Sequence, residues 1–313
     1  MKIALPARAR PHLEGHLPDG VTAAWYSASQ EAVQAVEGAE IAWLDIFGPP
    51  GVVAVIAAGK DLKWVSTGLA GVDTFPLDEL ARRRIPLTNG AGVNAIPVAE
   101  FTVMGLLAMA KNLRAIIACQ DRQAWPPAPL GTGELYESRA QIIGYGAIGR
   151  EIGVRLKGFG VQVTGVRRTA SDDPDVIGPD AWRPRLGEFD WIVLAAAATA
   201  ETEKMIGADE LGRMKSSAVV ANIARGGLID QPAMIEAVNS GRIAGAFLDV
   251  TDPEPPPAHD PVWSTPNLLM TSHSSGRSQT RMYERASDLF LDNLARYRSA
   301  RPLRNLVNLE RGY

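Results

Sequence analysis

Three apolar runs in the second half of the chain each end in a residue able to do chemistry. After AVVANI (Ala218 to Ile223) comes ARGGLID, which sets Arg225 just past a strand-like run. The run AGAFLDV (Ala244 to Val250) continues into TDPEPPP, so Asp249 and Glu254 stand beside a proline-rich turn. After NLLMTS (Asn267 to Ser272) comes His273. An arginine clamps a carboxylate through two parallel hydrogen bonds. A histidine is the usual proton donor or acceptor near neutrality, and a carboxylate beside it orients its ring. Any one of these alone reads as a solvated loop residue. Their delivery by three successive strand ends favours a site. His12, His16 and His259 lie in polar or proline-rich loops and read as structural or solvated.

The element that must position them lies upstream. QIIGYGAIGREIG carries G-x-G-x-x-G at Gly144, Gly146 and Gly149. AQII before it reads as a buried strand. Ile148, Ile152, Leu156 and Phe159 after it recur at helical spacing, and VQVTGV (Val161 to Val166) reads as the next strand. Strand, glycine turn, helix and strand within one βαβ unit form the context that a dinucleotide fingerprint requires. Gly144 serves the tight turn, Gly146 admits the pyrophosphate, and Gly149 lets helix and strand close. The helix N-terminus offers free N–H groups to phosphate. Further strands follow at βα spacing: DWIVLAA (Asp190 to Ala196) and the three runs above. Asp230, Pro232 and Gly241 frame a helix between two of them. Six strands alternating with helices predict a doubly wound parallel sheet, with ligands bound at the carboxyl ends of its strands.

The first ninety residues repeat the theme without a glycine fingerprint. KIAL, VTAAW, AEIAWL, LKWVST and IPLTN read as strands of a second α/β domain. Asn94 to Ile117 reads as one long, buried helix, because it is apolar nearly all round. The 313 residues suffice for two domains. A net charge of −3 without a basic run gives no sign of nucleic-acid or membrane binding. The single Cys119 excludes an internal disulfide and any multi-cysteine metal site, and no metal site is expected. MKIALPARARPHLEG reads as a first strand rather than a signal peptide, and a cytoplasmic location is the default expectation.

The motifs IIGYGAIG, ANIARGGLID, GAFLDVTDPEP, SHSSG, GLAGVD (Gly68 to Asp73), VAE (Val98 to Glu100) and NLVNLERGY span nearly the whole chain. Together they resemble the D-isomer-specific 2-hydroxyacid dehydrogenases. The resemblance implies two Rossmann/flavodoxin-like domains with an interdomain cleft. Residues 1–93 and 282–313 would form a discontinuous substrate domain, and 94–281 the dinucleotide-binding domain. It implies catalytic roles for Arg225, Glu254 and His273, with Arg225 and His273 also meeting substrate beside the backbone of Leu69, Ala70 and Gly71. Cofactor contacts are implied at Gly144, Tyr145, Gly146, Ala147, Ile148, Gly149, Arg167, Arg168, Thr169, Ala195, Ala196, Thr202, Ile223, Ala224, Asp249, Ser275 and Gly276. A homodimer and a small 2-oxo or 2-hydroxy acid substrate are the implied partners. Trp43, Phe47 and Met282 are candidates for reading the substrate side chain.

Two departures from the family pattern are informative. The strand ending at LAAAATAETE has only alanines (Ala195 to Ala198) where the family usually has a histidine and a proline turn. At the end of VQVTGV, NAD enzymes place an acid for the ribose hydroxyls. Here Arg167 and Arg168 follow, with Thr169 and Ser171 nearby. An acid would repel a 2′-phosphate and guanidiniums would bind it, so NADP is expected over NAD. The expected function is an NADP-preferring reductase of glyoxylate/hydroxypyruvate type. The alternatives are another dehydrogenase on the scaffold, of NAD-dependent, phosphoglycerate or phosphite type, and a non-catalytic dinucleotide-sensing protein. A formate enzyme would carry Gln where Glu254 stands.

Overall fold

Short runs rich in Val, Ile, Leu and Ala become strands of two separate sheets in the computed structural model, which describes every residue except Phe47, Ala170, Ser278 and Tyr313. The chain divides into two units: residues 1–94 with 279–313, and residues 95–278. Phe47, a candidate for substrate reading, lies outside the described residues.

The first unit alternates strands and helices. In chain order these are β1 (Lys2–Pro6), α1 (Arg10–Leu13), β2 (Thr22–Tyr26), α2 (Ser29–Ala35), β3 (Ile41–Trp43), α3 (Pro49–Ala58), β4 (Trp64–Ser66), α4 (Leu77–Arg82) and β5 (Leu87–Thr88). All pair in parallel, in the order β2-β1-β3-β4-β5. That is the flavodoxin-like order, with its switch point between β1 and β3. Side chains alternate across the sheet. Ala4, Ala42 and Val65 join the cluster with Val52, Val55 and Ile56 of α3. Ile3, Leu5, Ile41, Trp43 and Trp64 face the other way.

The second unit opens with α5 (Ala95–Ala110) and α6 (Leu113–Asp121). The expected single helix over Asn94 to Ile117 is therefore two, bent by 69°. The break falls at Asn112, which takes a left-handed φ of 48° and donates through Nδ2 to Leu130 O at 3.2 Å. Asparagine tolerates that conformation better than most residues. Nor is the second half buried. Leu113, Ile116 and Ile117 are 42–48% exposed, and α6 buries no residue. Apolar composition misled here because it cannot see where the chain turns away from the core. Among the described residues, no single helix is long and apolar enough to cross a membrane.

The sheet of this unit follows: β6 (Arg139–Ile143), α7 (Ala147–Gly158), β7 (Gln162–Val166), β8 (Val176–Ile177), β9 (Trp191–Leu194), α8 (Ala208–Arg213), β10 (Val219–Asn222), α9 (Gln231–Asn239), β11 (Gly245–Leu248) and β12 (Leu268–Met270). Its seven parallel strands run β12-β11-β10-β9-β6-β7-β8. This is the Rossmann order, with the switch point between β6 and β9. The expected count was six. The extra edge strand, β8, is two residues long in DPDVIGPD, too short for any periodicity. A 3-10 turn (Arg183–Glu188) precedes β9 where a helix was expected. Asp230 caps α9 through Ala233 N at 3.2 Å, and Gly241 beyond its end has φ 71°. The central strands β6, β9, β10 and β11 are buried on both faces, which is why they read as nearly unbroken apolar runs.

After the second unit, α10 (Met282–Arg298) belongs again to the first. Phe290 stacks on Trp43 and Trp64, each with centroids 5.3 Å apart. Tyr297 stacks on Trp64 and donates to Glu40 Oε1 at 2.7 Å. Trp43, at 1% exposure, is a core residue of this cluster.

Candidate active site

The glycine turn sits at the switch point of the seven-stranded sheet. Gly144, directly after β6, has φ 100°, and a Cβ there would drive into the backbone of Ala195 and Ala196 beyond β9. Only glycine meets both demands. A Cβ on Gly149 would strike the carbonyl of Gly144, so this glycine closes helix onto strand. Gly146 differs: nothing lies within 4 Å of its would-be Cβ. No atom of the described residues demands glycine there, so this position suits close approach of a ligand. The turn leads into α7, whose first N–H groups have no partner within the helix. Ala147 is exposed and Ile148 half-buried at this end. These features fit a pyrophosphate, whose charge the N–H groups would hold. Tyr145 contributes differently: its N–H is bound to Val166 O at 2.9 Å and its ring is buried. The wall beside the turn is Ala195 and Ala196, both half-buried. The following loop is tied by Thr202, which accepts from Thr199 N and donates to Ala197 O, both at 2.8 Å.

Beyond β10, Asn222 shapes the next loop. It is 1% exposed, accepts from Ala224 N at 3.1 Å and donates to Arg225 O at 2.8 Å. Ile223 is buried and Ala224 half-buried. The Arg225 guanidinium donates to Ala224 O at 2.8 Å. Gly226 follows, and a Cβ there would enter the Thr251 carbonyl and lie 2.6 Å from Asp252 N. This contact presses the Arg225 loop onto the loop that carries Glu254.

The third and fourth loops meet in a short pair: His273 Nδ1 lies 2.6 Å from Glu254 Oε1, with both side chains partly exposed. A histidine so paired presents its other ring nitrogen outward as a proton donor or acceptor. Asp249 holds the loop that makes this possible. It is 1% exposed, its Oδ1 accepts from Thr271 Oγ1 at 2.7 Å and Ser274 N at 2.8 Å, and its Oδ2 accepts from Ser275 N at 3.1 Å. Its carbonyl accepts from His273 N at 2.7 Å. His273 has φ 50°, a strained value for a side chain of this size. Four bonds to one aspartate hold that strain, and Ser275 and Gly276 complete the loop.

At the other end of the expected dinucleotide path, Arg167 follows β7 directly and is half-buried; its N–H donates to Ile177 O at 3.1 Å. Its guanidinium makes no hydrogen bond or ion pair among the described residues. Arg168 is exposed and pairs with Glu201 at 3.0 Å, and Thr169 is exposed.

In the first unit, the loop after β4 carries Leu69, Ala70 and Gly71. Leu69 N–H donates to Thr67 Oγ1 at 3.2 Å, while the N–H groups of Ala70 and Gly71 have no partner among the described residues. Asp45, after β3, anchors this loop by accepting from Thr67 Oγ1 at 3.0 Å and Gly68 N at 2.9 Å. Burial raises the pKa of Asp45, against the lowering effect of those bonds and of the neighbouring Trp43 and Arg8.

Sequence reasoning missed Asn222, Thr271 and Asp45. For Asn222 a signal existed, since a polar residue closing the buried run VVAN needs a reason. For Asp45 and Thr271 the signal lies only in contacts between distant loops.

A family model described as "D-isomer specific 2-hydroxyacid dehydrogenase, NAD binding domain" matches residues 103–275. A glyoxylate reductase of Korarchaeum cryptofilum is 31% identical over 264 residues, 82% of this chain and 79% of the relative. A glyoxylate reductase/hydroxypyruvate reductase of Homo sapiens is 36% identical over 224 residues, 69% and 68% of the two chains. The crystal structure of a D-isomer specific 2-hydroxyacid dehydrogenase family protein from Aeromonas salmonicida superposes with a TM-score of 0.87 at 27% identity, over 98% of this chain and 99% of that one. The chain belongs to the D-isomer specific 2-hydroxyacid dehydrogenases and is an NAD(P)-dependent oxidoreductase.

Proposed function

We propose that the chain is an NADPH-preferring reductase that converts small 2-oxo acids of the glyoxylate/hydroxypyruvate kind to D-2-hydroxy acids. The observation that carries this reading is the 2.6 Å Glu254–His273 pair, at the same sheet edge as Arg225 and the glycine turn. Bound nicotinamide supplies the hydride. Arg225 holds the carboxylate and carbonyl oxygen of the substrate and polarises the carbonyl. Protonated His273 gives its proton to the oxygen as it becomes a hydroxyl, and Glu254 stabilises the charge that the ring carries beforehand. Positioned proton transfer of this kind is worth roughly 10²–10⁴-fold. The N–H groups of Ala70 and Gly71, without a partner among the described residues, are the proposed second anchor for the carboxylate, with Leu69 shaping their loop. The domain roles proposed are a substrate domain of 1–93 with 282–313 and a cofactor domain of 94–281.

NADPH preference rests on Arg167, whose guanidinium has no partner among the described residues, and on the missing acid at that strand end. Glu201 neutralises Arg168, so Arg167 is the proposed reader of the 2′-phosphate. A homodimer is also proposed, supported by the exposed apolar side of α6 and by Trp125 at 96% exposure. Nicotinamide absorbance with a panel of 2-oxo acids, run with NADPH and NADH in parallel, tests the reading. Preferential NADPH oxidation with glyoxylate or hydroxypyruvate supports it. Equal use of both cofactors removes the preference, and no turnover with any 2-oxo acid removes the function.

A further inference from the structure

The crevice at the switch point of the second unit's sheet has two lips. One is the loop after β7 and the other is the loop after β9, with β6 between those strands. The end of β6 is bonded to both sides: Gly144 N–H donates to Val166 O at 3.0 Å, and Ala195 N–H donates to Ile143 O at 2.8 Å. Across this crevice an ion pair joins the lips, Arg168 Nη2 to Glu201 Oε2 at 3.0 Å. Glu201 is set in place by a tight turn. Thr202 N–H donates to Thr199 O at 3.0 Å, and Thr202 Oγ1 accepts from Thr199 N at 2.8 Å. The pair is open to solvent, with the Arg168 side chain 43% and the Glu201 side chain 74% exposed. An exposed pair of this kind adds little to stability. Its place is more telling than its strength, because the end of the second strand of a dinucleotide fold is where the ribose 2′ position lies.

We infer that Glu201 sets how strongly the chain prefers NADPH, by withholding Arg168 from the 2′-phosphate. The inference rests on the cofactor site proposed above. Arg167 and Arg168 together would discriminate sharply in favour of a 2′-phosphate, which carries close to two negative charges near neutral pH. Glu201 reaches from the opposite lip and engages one of the two. A phosphate that shared Arg168 with Glu201 would lie within about a Debye length of its carboxylate, roughly 8 Å at physiological salt, so the two anions repel with little screening. The 2′-hydroxyl of NADH has no charge and escapes that repulsion. Selectivity is set by a repelling group as well as by an attracting one. Glu201 thus does from the next loop, more weakly, what an acid on the strand end does in NAD enzymes.

The test is the ratio of Kd for NADH to Kd for NADPH, read by fluorescence titration, in the wild type, Glu201→Gln, Arg168→Gln and the double variant. Binding is read alone, so the result does not depend on which acid is reduced. Glutamine keeps the size of Glu201 and removes its charge, and both residues are exposed. Glu201→Gln is expected to raise the ratio by roughly threefold to tenfold. Most of that gain is expected to vanish in the double variant, because the freed guanidinium produces it. A loop disturbed without a charge effect moves both affinities alike and leaves the ratio where it was. A ratio unchanged or lowered in Glu201→Gln overturns the inference, and so does a gain that survives in full without Arg168. If Arg167→Asp shifts the ratio while Glu201→Gln does not, the proposed NADPH site stands and this inference alone fails. If neither variant shifts it, the NADPH site fails as well.

Discussion

The two sheets share an architecture and differ at their carboxyl edges. In the second unit the switch point is kept narrow by glycine, and its one open place is Gly146. In the first unit the corresponding place is lined with side chains: Tyr26, Asp45 and Thr67 hydrogen-bond one another's loops. The first arrangement presents backbone N–H groups to an anion that every substrate turnover shares. The second presents side chains.

The largest expected effect separates the two edges. His273→Ala is expected to lower kcat by roughly 10²–10⁴-fold, with NADPH affinity, read by fluorescence titration, nearly unchanged. Arg225→Ala is expected to raise KM and lower kcat together, since it serves both binding and polarisation. Steady-state kinetics with hydroxypyruvate check both, and near-normal turnover in the pair would remove chemistry from the second unit's edge.

Next come the glycines, which sharpen the distinction between space kept for protein and space kept for ligand. Gly144→Ala forces a Cβ into backbone at a positive φ, and is expected to lower Tm by several degrees. Gly146→Ala meets open space, so Tm is expected to hold while Kd for NADPH rises about tenfold or more. Equal thermal loss in both variants would show that Gly146 also serves packing.

Arg167→Asp addresses the cofactor's far end. One charge-assisted contact is worth about 1.5–3 kcal/mol, or roughly tenfold and upward. The NADPH/NADH ratio of kcat/KM is expected to fall by at least that factor and to reverse. An unchanged ratio would return Arg167 to the status of a surface residue.

The smallest effect lies in the first unit. Burial raises the folded-state pKa of Asp45, so its ionisation opposes folding as pH rises above the usual aspartate range. The native state keeps the proton longer than the unfolded chain does. Asp45→Asn is therefore expected to raise Tm at pH 7 by roughly a few degrees, a gain that vanishes in acid where both states are protonated. Thermal melts across that range check the sign, and a loss at neutral pH would show that the Thr67 and Gly68 bonds need the charge.

Much of the second unit's edge was legible in the residues. Gly144, Gly146 and Gly149 stand at fixed spacing within one βαβ unit, and Arg225, Glu254 and His273 each follow a buried run. Those signals are local, because a strand end is visible in sequence. Asp249 was legible as an aspartate but not as the centre of four bonds, since its partners come from a loop more than twenty residues on. Asp45 was invisible for the same reason. The break at Asn112 was missed because apolar composition says that a helix wants burial, not whether the chain has turned outward.

The measurement closest to the central claim is turnover of NADPH with hydroxypyruvate by the wild-type chain, beside a binding titration of NADPH alone. Both saturable binding and saturable oxidation are expected. Tight NADPH binding without turnover on any 2-oxo acid would contradict the claim, and would leave a protein that holds the dinucleotide without using it.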